Sequence, residues 1–102
     1  MIRAEFQKSD GVLTGFSISG HSGYAPSGED IVCSAVSSAV QLSVNILDEL
    51  DCCPDVKVSE NLIECRCRGG KVPSVILNSL MSHLESVLEE FPKTIKITIS
   101  EV

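Results

Sequence analysis

Apolar and polar residues alternate from Met1 to Lys8, with Ile2, Ala4 and Phe6 on one side. They alternate again from Val12 to Ser19, where Val12, Thr14, Phe16 and Ile18 share a side. A period of two marks a strand with one buried face. Ser9-Asp10-Gly11 between the runs carries the Asp-Gly turn signal, so the pattern predicts a β-hairpin. Gly20 ends the second strand, and a connecting loop runs through Gly28.

From about Asp30 to Leu50 the period lengthens to that of a helix. Val32, Ala35, Val36, Ala39, Leu42, Ile46 and Leu50 form one broad stripe, with Ser34, Gln41, Asn45 and Asp48 facing away. On this wheel Cys33 falls roughly 120° from Ala39, beside Ser37, Val40 and Val44. Cys52-Cys53-Pro54 closes the helical region. Val56–Ser59 and Leu62–Arg68 then read as a second hairpin turning at Glu60-Asn61, with Ile63, Cys65 and Cys67 on one face. Pro73 and Ser74 mark a second helix start, and Leu77, Leu80, Met81, Leu84, Val87, Leu88 and Phe91 keep helical spacing up to Pro92. Thr94–Ser100 alternates as a final strand. The order ββαββαβ predicts an α+β fold in two layers: a mainly antiparallel five-stranded sheet with two helices on one face. Residues 1–102 are expected to form one domain.

Net charge narrows the partners. At −6 with a pI near 4.7, the chain lacks the Lys and Arg clusters from which phosphate-backbone binders draw their affinity, so no direct nucleic-acid binding is expected. An acidic surface suits a basic protein or peptide. The alternating N-terminus has no apolar core of a signal sequence, and nowhere do 18 apolar residues run consecutively, which predicts a cytoplasmic protein with no membrane association. Five cysteines, an odd number, fit a reducing compartment and free thiols.

The segment from Gly20 to Cys33 holds the candidate chemistry. It sets His21 at the end of a strand and Cys33 at the start of a helix, joined by a loop punctuated by Gly20, Gly23 and Gly28. A helix N-terminus lowers a thiol pKa and an adjacent imidazole accepts its proton, so His21 and Cys33 are candidates for base and nucleophile of a cysteine hydrolase. The competing reading of Cys33 is a small buried hydrophobe at the start of an apolar helix. Gly20, Ser22, Gly23, Tyr24 and Gly28 are candidate substrate-loop residues whose backbone can fold over a peptide, or members of an ordinary connection. Asp30 either caps the helix or orients the His21 ring. Cys52, Cys53, Cys65 and Cys67 lack the paired C-x2-C spacing of common zinc sites; core packing is expected for Cys65 and Cys67, and a redox or metal role for the four is the weaker alternative. His83 is expected at the surface.

Gly20-His21, Tyr24-Ala25, Gly28 and Asp30-Ile31-Val32-Cys33-Ser34-Ala35-Val36-Ser37 resemble the signature of the ribosomal-processing cysteine protease Prp (YsxB-like) family of bacteria, over essentially the whole chain. The resemblance implies a homodimeric endopeptidase that removes the N-terminal extension of a large-subunit ribosomal protein, with Cys33 as nucleophile, His21 as general base and no cofactor or metal. It also implies a short apolar recognition segment before the cut. A noncatalytic, ribosome-associated binding module, with Cys33 merely packed, is the competing expectation.

Overall fold

The computed structural model describes residues 1–20 and 31–101. Within them β1 (Ile2–Ser9) and β2 (Val12–Ser19) form the first hairpin, and α1 spans Ile31–Glu49. β3 (Asp55–Ser59) and β4 (Leu62–Arg66) form the second hairpin, followed by α2 (Lys71–Glu90) and β5 (Ile95–Glu101). The five strands make one sheet in the order β3-β4-β2-β1-β5. All neighbours are antiparallel except β5, which returns after α2 to lie parallel to β1, pairing Ile2 with Ile95 and Phe6 with Ile99. The predicted architecture is thus present, with β3 and β5 as its edges.

The first turn closes at Asp10 and Gly11, whose φ angles of 52° and 82° are those a tight hairpin of right-twisted strands demands. Farther along, the pairing departs from simple alternation. Gln7 lies opposite Gly15 but Lys8 lies opposite Leu13, so Thr14 is an extra residue on β2. Its carbonyl accepts the Cys67 N–H at 2.9 Å and the Cys67 thiol at 3.4 Å. The bulge turns Leu13 into the core in place of Val12 and Thr14, while Phe16 and Ile18 remain buried as expected.

Both helices cover the face that carries Ile2, Ala4, Phe6, Phe16, Ile18 and Cys65, and one continuous core results. The Phe6 and Phe16 rings meet tilted, 6.2 Å between centroids. In α2, Leu77, Leu80 and Leu84 are buried as the spacing predicts. This helix begins at Lys71, two residues before Pro73, which sits in its first turn where a missing N–H costs no helical bond.

The stripe of α1 differs from the one the sequence suggests. Its buried residues are Val32, Val36, Val40, Ser43 and Leu47, while Leu42 and Leu50 are exposed. The helix is apolar around more than half of its girth, so the wheel alone leaves the buried direction open, and the sheet selects it. By length and composition α1 could also cross a membrane, while its Val32, Val36, Val40 and Leu47 pack into the core cluster against the sheet.

Candidate active site

Cys33 is the third residue of α1, within its first turn. Because the buried stripe runs through Val36 and Val40, Cys33 lies closer to the core than the sequence wheel places it: it is half-buried and packs against the core cluster. Its position is one edge of a trough of about 320 Å³ between α1 and the end of the sheet. The buried part is apolar, formed by Ile2, Ile18, Val36 and Val40. Polar residues ring it: Ser37 and Gln41 on α1, Ser19 on β2, and Ser59 and Asn61 at the β3–β4 turn. Val58, Leu62 and Ile63 complete the far wall.

Gly20 enters the same trough. Its φ of +87° is a left-handed conformation, and a Cβ there would stand 2.6 Å from the Met1 carbonyl oxygen, so only glycine fits without displacing backbone. Its N–H donates to the Asn61 carbonyl at 3.1 Å, tying the end of β2 to the turn of the second hairpin. The residue that precedes His21 in the chain is therefore fixed beside the cavity that holds Cys33. His21, Ser22, Gly23, Tyr24, Gly28 and Asp30 lie outside the described residues.

The remaining thiols sit in other surroundings. Cys65 is fully buried on β4, and burial, with the neighbouring Cys67 and Asp55, raises its pKa from 9.0 to about 11. Burial, and then Cys52, also raises that of Cys67. Both thiols are held protonated at neutral pH, which suits packing and opposes nucleophilic attack. Cys52 is buried and Cys53 exposed. Among the described residues no three His, Cys, Asp or Glu side chains are grouped to hold a metal ion. His83 is exposed on α2, as expected.

Ser37, Gln41, Val58 and Asn61 were not marked as site residues by sequence pattern. Only the i, i+4, i+8 line Cys33-Ser37-Gln41 could have been noticed there; Val58 and Asn61 reach the trough through the register of the second hairpin.

A model of one peptidase family, cysteine protease Prp, matches residues 1–96. The chain belongs to this family. The Prp fold is recovered in solved structures as well. The essential ribosomal processing protease Prp from S. aureus, in complex with a covalently linked product peptide, superposes with a TM-score of 0.90 at 24% identity, covering 98% of this chain and 100% of that one. The S. aureus protease with a substrate peptide gives 0.85 at 24% identity over the same shares. SMU.848 from Streptococcus mutans gives 0.84 at 24% identity, over 100% of this chain and 96% of that one. No curated protein matches the chain. Membership in Prp makes this chain a cysteine protease and sets aside the noncatalytic reading.

Proposed function

We propose that this Prp-family protease removes the N-terminal extension of a bacterial large-subunit ribosomal protein, in the cytoplasm, with Cys33 as nucleophile and His21 as general base and acid. The observation that carries the reading is the position of Cys33: first turn of a 19-residue helix, at the edge of an open trough with an apolar floor and a polar rim. The positive end of the α1 dipole favours the oxyanion formed in the reaction. Gly20 in the same trough is the point from which the chain enters its His21 segment.

His21 takes the thiol proton, and the Cys33 sulfur attacks the scissile carbonyl to form a tetrahedral oxyanion. Collapse breaks the C–N bond as His21 returns the proton to the leaving amine. Water, deprotonated by His21, then attacks the thioester and frees the carboxylate and the thiol. No metal or organic cofactor enters these steps. The net charge of −6 favours encounter with a basic ribosomal protein.

The test is incubation with the extended ribosomal protein encoded in the same genome, followed by mass spectrometry. Cys33→Ala is expected to abolish cleavage, and His21→Ala to reduce it at least a hundredfold, with circular dichroism unchanged in both. Turnover at the native rate in Cys33→Ala would exclude the assigned nucleophile.

A further inference from the structure

The trough has a direction as well as a floor. Cys33, Ser37 and Gln41 follow one another along a single line of α1, and the exposed Ser37 and Gln41 form its polar rail. A helix rises about 1.5 Å per residue, which places Ser37 about 6 Å and Gln41 about 12 Å from Cys33 along the axis. An extended peptide advances about 6.7 Å for every two residues, and alternate residues present their backbone groups to the same side. The two repeats stay in step to within about 1.5 Å over this distance.

The opposite wall is a row of apolar residues that crosses the sheet toward its edge. Ala4, Ile18, Ile63 and Val58 are successive cross-strand neighbours on the helix-covered face of the sheet. Burial falls along this row, from Ala4 and Ile18 in the core through half-buried Ile63 to Val58 at 73% exposure. The helical layer stops short of the edge strand and leaves Ile63 and Val58 as an apolar shelf facing the polar rail.

We propose that substrate binds as an extended strand along this trough, starting at the Cys33 sulfur. Alternate backbone groups on one flank of the cut hydrogen-bond Ser37 and then Gln41, and an apolar side chain between them rests on Ile63 and Val58. Val58 is then the residue that sets specificity at one substrate position, and Ser37 and Gln41 are positioning residues that act on binding. This rests on the peptidase reading above and adds the register of the peptide.

The experiment uses synthetic peptides spanning the candidate processing site, lengthened one residue at a time on either flank. Gln41→Ala is expected to raise KM about tenfold for peptides that extend four residues on one flank, with little change in kcat. The effect should vanish for peptides too short to reach it. Val58→Lys is expected to shift preference from apolar to acidic at a single peptide position. Asn45→Ala, one turn beyond the trough on the same line, serves as the unaffected control. Binding of the same labelled peptides to Cys33→Ala protein, read by fluorescence anisotropy, should show the same length and side-chain dependence without turnover. Absence of cleavage by the native chain with this binding pattern intact would remove the peptidase assignment and leave the trough. Cleavage with no length-dependent effect of Gln41→Ala and no altered position in Val58→Lys would overturn the trough assignment.

Discussion

Two single residues have consequences that reach beyond their own contacts. Gly20 holds a left-handed backbone against the Met1 carbonyl and fastens β2 to Asn61. Replacing it with alanine adds the cost of positive φ to a backbone overlap, and Gly20→Ala is expected to lose roughly 1 to 3 kcal/mol in urea denaturation. Activity should fall further than that loss of folded protein explains, because the same residue anchors the segment entering His21. Cys65 provides a pH signature. The folded state keeps its proton up to about pH 11, whereas an ordinary thiol at 9.0 releases it earlier. The unfolded chain therefore binds fewer protons between these values, and stability is complete below pH 9 and falls as pH rises toward 11, by about 2 to 3 kcal/mol at most. Urea midpoints across that window should decline less steeply in Cys65→Ala than in the native protein.

At the scale of elements, alternation and turn chemistry carried most of the fold. The first hairpin, the second, α2 and the final strand stand within two residues of where their patterns put them, with β4 ending at Arg66 rather than Arg68, because apolar spacing and turn residues mark each of them. The disagreements arise where local pattern underdetermines a choice that packing makes. Thr14 extends the alternation of β2 without interruption, yet β1 and β4 select a bulge there, and Leu13 replaces it in the core. α1 offers apolar residues in too many directions for a wheel to settle, and the sheet draws in Val40 and Leu47 in place of Leu42 and Leu50. The same shift explains the revised surroundings of Cys33. Its candidacy was legible from the Asp30-Ile31-Val32-Cys33 motif and from its place at a helix start. The trough was not, since its walls come from strands whose adjacency is a matter of topology.

For the whole molecule, the unused side of α1 becomes the main surface feature. Leu42 at 60% and Val75 at 58% exposure, with Ala39, Ile46 and Ile76, border a groove of about 520 Å³ between the helices. It lies on residues of α1 and α2 that the substrate trough does not use. Leu42→Glu adds a charge at the rim of this groove, outside the core and the trough, and is expected to keep the fold by circular dichroism and peptide turnover within about twofold of the native rate.

The parallel pairing of β1 with β5 also governs when this molecule can become itself. Ile2 pairs with Ile95, 93 residues on, and everything between them must be synthesised before that ladder can close. Loop closure over such a span is slow compared with forming either hairpin or helix. Until the last strand clears the exit tunnel, β1 keeps a bare hydrogen-bonding edge and lacks Ile95 and Ile97 beside it. Assembly of the native sheet therefore waits for its last strand, and a nascent chain stalled at the end of α2 would carry its first hairpin with β1 open to pairing by any other strand.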